Sequence, residues 1–129
     1  MAALRTANSD WPPQVEMIIS SLEAASLKAL DRRQLARFSY RVLAKLELFS
    51  DEPGAQPWML YTRDVNARGI GFVSAKRVPL GHGGVIELVA PTGAKVCANC
   101  TVFRCREVSP GWFEGAVYFN REQWLFAAT

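Results

Sequence analysis

The sequence predicts a mainly β protein, a small antiparallel barrel or sandwich with a helix at each end. Two observations carry this. Six short segments either alternate apolar and polar residues or run apolar for about a strand's length. Turn-forming clusters separate them, among them Asp51-Glu52-Pro53-Gly54, Pro91-Thr92-Gly93 and Ser109-Pro110-Gly111. A third observation completes the outline: the long stretch of helical spacing precedes all six strands.

Residues 1–9 read as a tail. Ser9 or Asp10 is placed to cap a helix whose first turn accommodates Pro12 and Pro13, since proline lacks only a donor that is orphaned there anyway. Val15, Ile18, Ile19, Leu22, Ala29 and Leu30 then follow helical spacing, giving an amphipathic helix over roughly 13–30. From residue 38 the period becomes two. Tyr40, Val42, Ala44, Leu46 and Leu48 share one face, and Arg41, Lys45 and Glu47 share the other. Further strands are expected at 58–63, 70–74, 85–89, 95–106 and 112–119, with a loop over 78–84. Asn120, followed three residues on by Gln123, has the form of a capping box for a short last helix carrying Trp124, Leu125 and Phe126. The expected division is tail and helix over 1–30 and barrel over 31–129, one domain overall.

A chain of 129 residues with half its residues apolar builds a real core without disulfide or metal. The net charge of +3 does not by itself argue for a nucleic-acid partner. The distribution says more. Residues 31–45 contain Arg32, Arg33, Arg37, Arg41 and Lys45 against the single acid Asp31, a local charge of +5 − 1 = +4. Such a cluster is the footprint of a phosphate-bearing partner or of a solvated face. Apolar runs are far too short to span a membrane. The opening residues lack a charged leader followed by an apolar stretch, and three cysteines is an odd count. Both favour a cytoplasmic protein.

Two polar clusters stand out. Arg33 and Arg37, four residues apart, can converge two planar guanidinium groups on one target, gripping phosphate oxygens or stacking on a purine. Asp64, Asn66 and Gly69 combine a carboxylate, which accepts from adjacent N–H groups such as N1–H and the 2-amino group of guanine, an amide that donates and accepts, and glycine. Gly69 and Gly71 permit positive φ or close approach of a ligand. Alone, the first cluster equally describes a basic linker, and the second a tight turn between strands.

Together they carry a resemblance. Arg33-Gln34-Leu35-Ala36-Arg37, followed about 30 residues later by Asp64-Val65-Asn66-Ala67-Arg68-Gly69, resembles the RxxxR and D/N-x-S-x-x-G motifs of PilZ domains. Ile70-Gly71-Phe72 is similar to the apolar strand that follows the glycine. Gly115-Ala116-Val117-Tyr118-Phe119 is similar to the closing G-x-x-x-F strand. The resemblance covers residues 31–119. It implies a six-stranded antiparallel β-barrel that binds cyclic di-GMP, a bacterial second messenger. Arg33 and Arg37 would hold phosphates and stack on guanine, joined by Arg32; Asp64 would read a guanine edge, residue 66 would add a hydrogen bond, and Gly69 would leave room for the base. Asn66 departs from the family's usual serine. A second RxxxR, Arg37-Phe38-Ser39-Tyr40-Arg41, overlaps the first; the earlier pair is preferred because Arg41 falls within the alternating strand.

Other candidates are weaker. Cys97-Ala98-Asn99-Cys100 with Cys105 supplies one knuckle where tetrahedral zinc usually takes two, and His82 is distant in sequence. No nucleophile arrangement surrounds His82, and no phosphate-binding glycine loop is present. The expectation is therefore a non-enzymatic receptor that takes no cofactor and no metal. It inserts in no membrane, binds no DNA or RNA, and passes occupancy to a separate protein partner. The alternatives are a degenerate PilZ-like interaction module without nucleotide and, less favoured, a basic barrel for RNA or single-stranded DNA. The last would show steep, multi-phosphate salt dependence and little guanine preference.

Overall fold

The computed structural model describes residues 11–26 and 38–127. Pro13–Ser26 forms helix α1. The strands are β1 (Phe38–Ser39), β2 (Leu43–Leu48), β3 (Trp58–Asn66), β4 (Gly69–Ser74), β5 (Gly83–Val89), β6 (Lys95–Ser109) and β7 (Trp112–Phe119). All pairings are antiparallel, and the order β3-β2-β5-β6-β7-β4 closes on itself through β3–β4. The result is a six-stranded closed barrel. β1 lies against the far end of β3, beyond β2.

The expected first strand is thus interrupted. Between β1 and β2 the register slips by one residue: the Tyr40 N–H still reaches the Arg63 carbonyl and the Thr62 N–H the Val42 carbonyl, and the buried side chain of Thr62 fills the irregularity. Its Oγ1 accepts the Val42 N–H at 2.9 Å and donates to the Tyr40 carbonyl at 2.5 Å. Period-two alternation nevertheless survives: Ala44, Leu46 and Leu48 are buried, and the residues between them are exposed.

Inward-facing residues from all six strands fill the barrel, including Leu46, Leu60, Val65, Ile70, Phe72, Ile86, Val102 and Val117. Phe126 completes one end. It is fully buried, its ring stacked 5.8 Å from Phe119 and tilted against Tyr40 at 6.0 Å. The expected last helix is only a 3-10 turn, Trp124–Phe126. Asn120 and Gln123 do not form a capping box. The Asn120 N–H is spent on Asn99, its side chain meets Thr101 Oγ1, and the Gln123 N–H is spent on Ala67. Of the three apolar residues it carries, Phe126 alone reaches the core; Trp124 and Leu125 are exposed.

α1 lies on the outside of the barrel. Trp11, Val15 and Ile19 bury against Val73, with Tyr61 and Trp112 alongside. Of the stripe the helical spacing marks out, Val15 and Ile19 are buried and Ile18 and Leu22 pack partly buried beside them, while Trp11 joins from before the helix. Arg41 adds a polar clamp: Nη1 meets Glu16 Oε1 at 2.5 Å, and Nη2 meets Glu23 Oε1 at 3.0 Å. The expected caps Ser9 and Asp10, and the expected last turn with Ala29 and Leu30, lie outside the described residues.

Thr62→Val keeps the shape of the plug and strands a buried donor and acceptor. The expected cost is about 1–3 kcal/mol, read as a lower urea midpoint at unchanged slope. Thr62→Ser, which keeps the hydroxyl, should lose roughly 1 kcal/mol or less through its missing methyl.

Candidate functional site

The polar residues of the second cluster are arranged by a single irregularity. Across the β3–β4 pair, Thr62 opposes Phe72 and Asp64 opposes Gly71, so Arg63 is one residue too many. A β-bulge of this kind turns two consecutive side chains to one face. Arg63 and Asp64 therefore both leave the barrel on its outer side. Asp64 Oδ1 accepts the Gly71 N–H at 3.1 Å, and its Oδ2 lies 3.4 Å from Arg63 Nε.

Arg63 crosses β4 to reach β7. Its Cγ passes 3.3 Å from where a Cβ would stand on Gly71, and its Nη1 meets Glu114 Oε2 at 3.3 Å. Glu114 is 1% exposed and also receives Arg104 Nη2 at 2.5 Å and Arg106 Nε at 3.1 Å. Three guanidinium groups thus surround one buried carboxylate. With Asp64 counted, 3 − 2 leaves a charge of +1 on this face. Arg104 comes to its place by a second bulge: Val102 opposes Val117 and Arg104 opposes Ala116, so Phe103 is extra and both Phe103 and Arg104 face outward.

Asn66 and Gly69 bound the β3–β4 hairpin. Asn66 Oδ1 accepts the N–H groups of Arg68 at 2.8 Å and Gly69 at 3.1 Å, an Asx turn that commits its oxygen to the backbone. Neither Gly69 nor Gly71 has positive φ; the positive-φ glycines among the described residues are Gly54, Gly81, Gly93 and Gly111. The expectation of positive φ at 69 and 71 is corrected, and a different constraint explains both. A methyl group on Gly69 would collide with the Val117 carbonyl oxygen, and one on Gly71 would stand 2.6 Å from Asp64 Oδ1. Glycine here lets β7 and the Asp64 carboxylate come close.

Register lines these residues up across four strands. One row runs Asp64, Gly71, Ala116, Arg104; the next runs Asn66, Gly69, Tyr118, Thr101. The centre of these rows is built of small residues, Gly69, Gly71 and Ala116, and the Arg63 stem and Asp64 carboxylate lie over Gly71. A carboxylate and an amide stand on the β3 side, an arginine and an aromatic ring on the other. Such a surface offers acceptors to a donor edge, cations to an anion and ring faces to a planar ligand.

The structure brings Asp64, Asn66 and Gly69 together. Arg32, Arg33 and Arg37 lie outside the described residues. Arg41, the last residue of the overlapping RxxxR, is held by Glu16 and Glu23. Sequence reasoning missed Arg63, Phe103, Arg104, Arg106, Glu114 and Tyr118. One signal was present for Glu114, an acid amid the apolar run of a strand, which burial permits only with cationic partners.

The weaker candidates do not converge. Alternation along β6 turns Cys97 outward and Cys100 inward, so the two cannot share a metal. Among the described residues no group of three or more His, Cys, Asp and Glu is placed to hold an ion. His82 Nδ1 is 2.9 Å from Ser50 Oγ; both residues are exposed, and the bond ties the loop before β5 to the turn after β2. Comparison with known proteins finds no relative: no family model, curated protein or solved structure matches the chain.

Glu114→Gln removes the charge on which three arginines converge. It should destabilise the barrel by roughly 3–5 kcal/mol, the cost of leaving a buried ion pair half empty, measured by chemical denaturation. Asn66→Ala should cost about 1–3 kcal/mol by stranding two turn N–H groups. Asn66→Ser should recover part of that loss, because a hydroxyl makes the weaker form of the same turn.

Proposed function

We propose that the chain is a PilZ-like receptor for cyclic di-GMP. The observation that carries this is the register of β1: Ser39 opposes Asp64 and Phe38 opposes Val65, so the arginine motif, which ends at Arg37, runs directly into a strand paired with the aspartate motif. The residues that immediately follow the arginine motif in sequence are thus laddered to the aspartate motif. In this reading Arg32, Arg33 and Arg37 bind the phosphates, and the arginines stack on guanine. Asp64 accepts from a guanine donor edge, and Gly69 leaves room for the base. A closed six-stranded barrel is the scaffold that the resemblance implies.

Binding is non-covalent, and the readout is a change in conformation or in contacts with a separate protein. No covalent step, cofactor or metal enters this reading, and neither does DNA, RNA or membrane insertion. Among the described residues no helix is long and apolar enough to cross a membrane. We place the receptor in the cytoplasm, where a nucleotide messenger acts.

One observation favours a second reading, a PilZ-like interaction module without nucleotide. Asn66 Oδ1, standing where the family's serine would contact ligand, is already spent on Arg68 and Gly69.

Calorimetric titration with cyclic di-GMP, with GTP as control, separates the two. The receptor reading expects saturable binding selective for the cyclic dinucleotide and abolished in Arg37→Ala. No heat at high ligand concentration overturns it, and gain of binding on Asn66→Ser then supports the module.

A further inference from the structure

Two aromatic rings are spent on the outside of the barrel where the core does not need them. Phe103 is 47% exposed and Tyr118 is 45% exposed. Their ring centroids are 5.8 Å apart with planes at 49°. The buried ring cluster of Tyr40, Phe119 and Phe126 lies on the opposite side of the strands, inside the barrel. On the outer face their neighbours in the register are Thr101 and Arg104 on β6, Gly69 on β4 and Ala116 on β7, none of them a large apolar side chain.

The rings line an open groove of about 300 Å³ with Arg68, Gly69 and Val117. That is the lower end of the range for small-molecule sites, roughly 300–1,000 Å³. Its walls are ring faces and apolar stems, which suit a heterocycle and not a phosphate. Cations stand around it. The Arg104 guanidinium carbon lies 5.9 Å from the Phe103 ring centre, and Arg68, 62% exposed, pairs with Glu122 at 3.2 Å.

The groove adjoins the candidate site. Tyr118 opposes Gly69 across the β4–β7 ladder, and Gly69 closes the hairpin that begins at Asn66. Asp64 stands on β3 and Tyr118 on β7, with only β4 between them; two strand spacings across and two residues along put them about 12 Å apart. A cyclic dinucleotide carries two bases, and Asp64 reads only one.

We infer that Phe103 and Tyr118 form a stacking platform for a second purine base, on the side of β4 opposite Asp64. This rests on the cyclic di-GMP reading and adds to it a distinct place for the second base. Every base has a π face, so the platform contributes affinity for a dinucleotide and little choice among bases. GMP, with one base to place, gains nothing from occupying both positions.

The test titrates cyclic di-GMP and GMP into wild type, Phe103→Ala, Tyr118→Ala, Tyr118→Phe and Arg37→Ala. Each alanine should weaken cyclic di-GMP about tenfold, the worth of one stacked base, with a smaller effect on GMP. Tyr118→Phe keeps the ring and should bind as wild type does. On the unmutated protein, ligand should shift the Phe103 and Tyr118 ring protons upfield, a readout that no folding defect can imitate. Alanine variants that bind like wild type, with unshifted rings, while Arg37→Ala loses binding, overturn the platform and leave the receptor reading intact. Wild type that binds no cyclic di-GMP overturns both.

Discussion

Because β3 carries one residue more than the strand beside it, Arg63 and Asp64 emerge on the same face, and the outer surface is organised by that extra residue. In a regular strand one of the two would point into the barrel, where an unpaired charge is not tolerated. The bulge turns both outward and sends Arg63 over Gly71 to Glu114. Glu114 in turn holds Arg104, which a second bulge on β6 delivers. β3, β7 and β6 are thereby tied by charge as well as by ladder hydrogen bonds. The requirement for glycine at 71 follows from the same geometry, since Asp64 Oδ1 sits where a side chain would go.

Much of this was legible in the sequence, and what was not has an identifiable cause. Alternation found the buried face of β2, and Pro-Gly turns set the hairpin ends, because both signals are local. The bulges were invisible because a strict period of two cannot register an added residue. The break between β1 and β2 was hidden for a related reason: Tyr40 and Val42 keep their apolar phase while Thr62, twenty residues away, repairs the ladder. The last helix failed because distant partners, Asn99 and Ala67, take the N–H groups a cap would have served.

The candidate site divides in the same way. The order Asp64, Asn66, Gly69 is a local pattern and could be read directly. The use of Gly69 could not, since it depends on β7 lying against β4, a pairing of residues about 45 apart. Asn66 shows how a polar residue of such a pattern can be taken up by the turn itself: its oxygen holds the hairpin by accepting from Arg68 and Gly69.

The helix seat has an optical consequence. Tyr61 lies between two indoles, with Trp11 at 5.1 Å in edge-to-face contact and Trp112 at 6.4 Å. Trp11 precedes α1, whereas Tyr61 and Trp112 belong to the barrel. At these separations the phenol passes its excitation to the indoles, and the ring transitions couple into an asymmetric near-ultraviolet signal. Any event that lifts the helix from the barrel therefore separates a donor from one of its acceptors. The protein carries its own spectroscopic gauge of whether that helix is seated.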